Sequence, residues 1–153
     1  MTTIAYRDGV MVGDGRLCAD THILTDRYVK VRDCGKFIVG LAGNAESFEA
    51  VWKWYQNGCK VKSKPKGNYE TLAYEKSTGK LHTYEIKGKS CVVLPSDEPA
   101  AIGAGADYAR VAMGCGKSAV EAVKLAERFN SDTGGESTVI ICNAPVKKKA
   151  RTK

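Results

Sequence analysis

Histidine is almost missing from this 153-residue sequence, which holds only His22 and His82. A Ser-His-Asp or Cys-His nucleophile would have to use one of them. Neither lies beside a Gly-x-Ser-x-Gly or comparable turn, so that chemistry is not expected. Six cysteines are present (Cys18, Cys34, Cys59, Cys91, Cys115, Cys142), yet no two form a Cys-x-x-Cys pair. Without that spacing a zinc site has no recognisable ligand set, and neither metal nor cofactor is expected. The chain start lacks the charged-then-apolar form of a signal peptide, so the expectation is a cytoplasmic protein with reduced, mostly packed cysteines. Long apolar runs are missing too: the run from Phe37 to Ala42 is far too short to span a bilayer. Phosphate loops are incomplete. Gly114-Cys115-Gly116-Lys117-Ser118 resembles the end of a Walker A loop, but Val111 stands where its first glycine is needed, and Tyr108 stands where Gly103-Ala104-Gly105 would need the third glycine of a dinucleotide fingerprint. No internal repeat is present.

What is there is an ordinary globular composition, 43% hydrophobic and 27% charged, of a length suited to one domain. The expectation is a single domain over residues 1–145 and a basic, disordered tail over 146–153. A net charge of +7 invites a nucleic-acid reading, because a basic surplus neutralises phosphates. Nine positive charges, however, lie in two short stretches: Lys60, Lys62, Lys64 and Lys66, then Lys147, Lys148, Lys149, Arg151 and Lys153. They outnumber the net surplus, so the remainder of the chain is slightly acidic.

Arg7-Asp8-Gly9 between Thr3–Tyr6 and Val10–Val12 signals a hairpin. Strands are expected at Tyr28–Val31 and Lys36–Leu41, then a helix in which Phe48, Val51, Trp52 and Tyr55 repeat at helical spacing up to Gly58. The lysine-rich stretch reads as a loop. Thr71–Tyr74 and Leu81–Ile86 bracket a second hairpin turn, and Cys91–Leu94 is another strand. Ala101–Gly105 reads as a small-residue turn into a helix near Asp107–Met113. Ser118-x-x-Glu121 is a capping box, opening a helix whose buried side is marked by Val120, Val123 and Phe129. A last strand, Ser137–Cys142, ends at Asn143. Strands in runs, not in strict alternation with helices, point to α+β with antiparallel sheets covered by helices.

One nucleophile needs no histidine. If Met1 is removed, Thr2 carries both a hydroxyl and a free α-amine, and an amine with a pKa of roughly 7.7–8.0 is partly neutral near pH 7 and can take the hydroxyl proton. The segments Thr2–Tyr6, Gly9–Arg16, Val29–Val31 and Val39–Ala45, followed by Ala101–Ala109 and Thr133-Gly134-Gly135, occur in an order and spacing that resemble the proteasome β-type family of N-terminal nucleophile hydrolases, with the nearest look to HslV-like members including short phage-encoded ones. The interval of 16 residues from Asp14 to Lys30 equals the family's interval between its structural acid and its catalytic lysine.

The resemblance implies a four-layer αββα fold and a threonine-type peptidase acting on unfolded polypeptides or peptides inside a homo-oligomeric ring. It implies Thr2 as nucleophile, Lys30 as the charge that aids proton removal, Asp14 as the acid that orients Lys30, and Gly40 as the oxyanion N–H donor. Asp20 competes for the acid role but stands only ten residues before Lys30. In the family's Gly-Ser-Gly turn this chain has Ala104, and for an acid near the end it has Asn130, which leaves Asn130 and Thr133 as neutral supports. These departures motivate a second reading, a weak or inactive scaffold ring, and the clustered lysines a third, a nucleic-acid-binding module. An ATPase unfoldase as partner is left open.

Overall fold

The computed structural model describes residues 2–84 and 91–142. In chain order its strands are β1 (Thr3–Arg7), β2 (Val10–Gly13), β3 (Leu17–Ala19), β4 (His22–Thr25), β5 (Val31–Asp33), β6 (Phe37–Gly43), β7 (Tyr69–Glu75), β8 (Lys80–Tyr84), β9 (Cys91–Leu94), β10 (Ala100–Gly103) and β11 (Thr138–Ile141). Helix α1 (Phe48–Gln56) follows β6, and α2 (Ala106–Gly114) and α3 (Ala119–Phe129) lie between β10 and β11. The strands form a four-stranded sheet in the order β10-β1-β2-β11, a five-stranded sheet in the order β5 to β9, and a separate β3–β4 hairpin. Every strand pairing among the described residues is antiparallel, so the chain is α+β with antiparallel sheets and three helices. Among the described residues no helix is long and apolar enough to cross a membrane.

Three apolar cores account for the arrangement. Side chains alternate along a strand, so Ile4 and Tyr6 of β1 face one way and Ala5 the other. Ile4, Tyr6 and Met11 meet Ile38, Leu72, Tyr74 and Leu81 between the two sheets. On the outer face of the five-stranded sheet, Val39, Leu41 and Ala73 pack under Phe48, Val51, Trp52 and Tyr55 of α1. On the outer face of the four-stranded sheet, Ala5, Val12 and Ala101 pack under the alanines of α2 and α3 with Met113 and Val123. Strands covered on both faces explain why β6 reads as an unbroken apolar run.

The Asp8-Gly9 turn takes φ values of +50° and +76°, as a two-residue hairpin requires. The capping box forms as expected: Glu121 N donates to Ser118 Oγ, and Ser118 N to the Glu121 carboxylate. Five expectations are corrected. Residues 28–30 are not strand, because Tyr28 N donates to Gly15 O and ties this stretch to the turn after β2; the strand begins at Val31. Ala101–Gly103 belongs to a strand instead of a turn, registered against Thr3–Ala5. The β3–β4 hairpin was not foreseen, since its Ile23 and Leu24 are exposed and give no alternation to read. Phe129 is 62% exposed and stacks on Tyr108 at 5.6 Å instead of entering the core. Of the six cysteines, all free thiols, only Cys34 and Cys142 are buried, while Cys91 and Cys115 are exposed. The expected strand residues Glu85 and Ile86, the strand end at Asn143 and the basic tail lie outside the described residues.

Candidate active site

The site begins where β2 ends. Gly13 and Gly15 flank Asp14 for steric reasons: a Cβ on Gly13 would lie 2.8 Å from Val31 Cγ2, and one on Gly15 would lie 2.3 Å from Glu136 O. The two glycines let the turn sink between neighbouring backbones, and Asp14 is fully buried as a result. Its carboxylate accepts from three main-chain donors, Thr3 N at 2.8 Å, Arg16 N at 3.2 Å and Gly134 N at 3.2 Å. The fourth donor is Lys30 Nζ, at 3.0 and 3.1 Å from the two oxygens. Lys30 is 1% exposed and also donates to the Arg16 carbonyl. Burial pushes the Lys30 ammonium below the usual lysine range, against the opposing pull of Asp14. A buried ammonium is tolerated here because its donors are occupied and its counter-charge is itself held by backbone.

Thr2 is 3% exposed and lines a cavity of about 800 Å³ together with Lys30. Leu17, Leu24 and Phe48 give that cavity apolar walls, and Glu46 and Glu70 carry carboxylates on it. The chain from Gly103 to Gly105 closes in on Thr2 and Thr3. Gly103 has φ +91°, and a Cβ there would lie 2.1 Å from the Thr2 carbonyl; one on Gly105 would lie 2.0 Å from Thr3 Oγ1. No side chain fits at either position.

Four of the residues singled out from sequence converge: Thr2, Lys30 and Ala104 line the cavity, and Asp14 grips Lys30 beneath it. Asp20 is exposed in the β3–β4 turn at φ +50°, which leaves Asp14 as the acid that holds Lys30. Thr133 is buried close by, but its Oγ1 pairs with Thr3 Oγ1 at 2.7 Å. Asn130 is turned to its own loop, its Oδ1 accepting from Asp132 N at 2.9 Å. Gly40 does not reach the site. It pairs with Val31 and Leu72 in mid-sheet, and a Cβ there would lie 2.5 Å from Ile4 Cγ2 in the core between the sheets.

The glycine of β6 that does line the cavity is Gly43, at the end of the strand. Its φ of +108° and the approach of Asn68 O, 2.4 Å from where a Cβ would be, exclude a side chain. Sequence reading also passed over Glu70, whose carboxylate accepts from Gly103 N at 3.0 Å and so ties β7 to the turn that carries Ala104. Gly43-Asn44 is a Gly-Asn pair of the kind that breaks a strand ahead of a helix, whereas Glu70 carries no sequence signal.

No family model matches the chain, and no curated protein matches it. A solved structure, Thiobacillus denitrificans BPH, is similar in fold. The two share 16% sequence identity over 93% of this chain and 98% of that one, with a TM-score of 0.65. At that identity the likeness speaks to the fold alone.

Proposed function

We propose that the chain is an N-terminal nucleophile hydrolase of the four-layer αββα, proteasome-like kind, a threonine peptidase that uses Thr2 once Met1 has been removed. The observation that carries this reading is the convergence of Thr2 and Lys30 on one cavity, with Asp14 fully buried beneath and bonded to Lys30 at 3.0 Å. These are residues that the sequence resemblance singles out, and nothing in an ordinary α+β sandwich requires a lysine to be buried at a cavity that the second residue lines. The layering of the three apolar cores, helix on sheet on sheet on helix, supports the same fold.

In the proposed mechanism the Thr2 hydroxyl attacks a peptide carbonyl while its own α-amine takes the proton. Lys30 supplies positive charge near the developing alkoxide, and its position is set by Asp14. The tetrahedral oxyanion is met by backbone N–H groups at the cavity wall, for which Gly43 replaces Gly40 as the candidate. Collapse expels the peptide nitrogen as an amine, protonated by the Thr2 α-ammonium, and leaves an ester on Thr2, which water then hydrolyses. Peptides or unfolded chains are the substrate class, and assembly into a homo-oligomeric ring belongs to the same reading. No step calls for a metal or cofactor.

Fluorogenic peptides test it. The wild-type chain, shown by intact mass to lack Met1, turns them over, and an electrophilic β-lactone labels Thr2; Thr2→Ala folds and does neither. Turnover retained in Thr2→Ala, or Met1 retained on the purified protein, removes the proposal. One observation favours the scaffold alternative: Ala104 and Asn130 supply no hydroxyl or acid to the amine, Asn130 being committed to its own turn. A folded, Met1-free protein that neither cleaves nor reacts with the lactone would decide for it.

A further inference from the structure

We propose a second chemical site, independent of the first: Cys91, His82 and Glu75 form a thiol-modification site on the five-stranded sheet, where the Cys91 sulfur exchanges with a small anionic disulfide.

The three residues are brought together by strand register. Cys91 of β9 stands opposite Tyr84 of β8, His82 lies two residues along β8, and Glu75 ends β7. Cys91 Sγ lies 3.6 Å from His82 Nδ1, and His82 Nε2 lies 3.0 Å from Glu75 Oε2. The same Glu75 oxygen accepts from Thr78 Oγ1 at 2.7 Å. The hydrogen bonds from Thr78 and His82 hold the Glu75 carboxyl below the usual carboxylate range, so it is ionised near neutral pH and can only accept. The hydrogen of the imidazole is thereby placed on Nε2, and Nδ1 is left as an acceptor facing the thiol. Phe37 packs edge-on against the imidazole at 6.1 Å and limits its rotation. A nucleophile, a base of fixed tautomer and a carboxylate that fixes it are thus in line.

The setting favours modification over turnover. Cys91 is exposed, and neither cavity, the one at Thr2 nor a second of about 710 Å³ between β7–β9 and β10, is lined by Cys91 or His82. Positive charge lies close: Lys64 Nζ sits 4.3 Å from the centre of the Tyr84 ring, and Lys80 is the strand partner of Glu75. That charge suits an anionic disulfide. By contrast, burial pushes the Cys34 and Cys142 thiols up to about 11, where they stay protonated and shielded.

The step balances. His82 Nδ1 takes the thiol proton; the sulfur attacks one sulfur of the disulfide; a new S–S bond forms as the old one breaks; and the departing thiolate is protonated by the imidazolium. One disulfide is consumed and one mixed disulfide forms, with no other oxidant.

The test uses oxidised glutathione on the full chain at pH 7, with the modified fraction of each cysteine followed by peptide mass spectrometry. Cys115, also exposed, is the internal reference. With His82 Nδ1 placed to take the thiol proton during attack, the expected advantage of Cys91 over Cys115 is about threefold or more. His82→Gln brings Cys91 down to the Cys115 rate, and Glu75→Gln falls between. Equal rates for Cys91 and Cys115 in the wild type overturn the proposal, as does a Cys91 rate unmoved by His82→Gln. Cys34 and Cys142 report folding in every sample: should a variant expose them, the wild-type ratio and Glu75→Gln decide.

Discussion

Asp14 and Glu75 are both carboxylates that hold a basic side chain at 3.0 Å, and they do so by opposite means. Asp14 is sealed from water and takes three of its donors from the main chain, at residues 3, 16 and 134. Glu75 stays partly exposed and is bonded to side chains, Thr78 and His82. A carboxylate bonded to backbone organises the fold around itself and cannot be removed without loosening three segments. One bonded to side chains tunes a neighbour and can be replaced with little effect on the fold.

The largest expected effect is Asp14→Ala. It leaves a buried ammonium uncompensated and three backbone N–H groups without acceptor, a loss of about 3–5 kcal/mol. For a chain of this size that lowers the melting temperature by about 10 °C. A loss under about 1 kcal/mol by denaturant titration would break the contrast. Next come the glycines of β6. Gly43→Ala meets backbone at a positive φ and is expected to abolish peptide turnover in the folded fraction. Gly40→Ala meets Ile4, costs about 1–3 kcal/mol in overpacking, and leaves turnover per folded molecule unchanged. Reversal of that pair would restore Gly40 to the site.

Part of this was legible beforehand. Thr2, Asp14 and Lys30 stand out in the sequence by an order and spacing that resemble a known family's, and the glycines around Asp14 are needed by close backbone approach. Gly40 and Gly43 could not be told apart, since only the sign of φ and the neighbouring sheet decide which one faces the cavity. Phe129 was misplaced by pattern alone: six residues beyond Val123 is about 240° of helical rotation, which carries it off the buried face. The β3–β4 hairpin is invisible to periodicity because it buries little.

Two smaller effects complete the contrast. Glu75→Gln is expected to change stability by less than about 1 kcal/mol, a partly exposed pair contributing little, while slowing thiol exchange at Cys91. Alkaline titration separates buried from exposed thiols. The Cys34 and Cys142 thiols are raised from 9.0 to about 11, so the folded state holds protons that the unfolded chain has lost. Their contribution is fully present below pH 9 and disappears as pH rises toward 11. Cys34→Ala should flatten the fall in melting temperature across that window, and an unchanged slope would show that other groups govern it.

The hydrogen bond from Gly134 N to Asp14 spans 120 residues. Its consequence is one of timing. A chain still on the ribosome can hold Thr2, Asp14 and Lys30 before it has the segment that donates Gly134 N to the Asp14 carboxylate and supplies Thr133 to Thr3. The constellation therefore closes only after residue 134 has been synthesised, and a nascent or truncated copy carries Thr2 without the segment that completes the surroundings of Asp14.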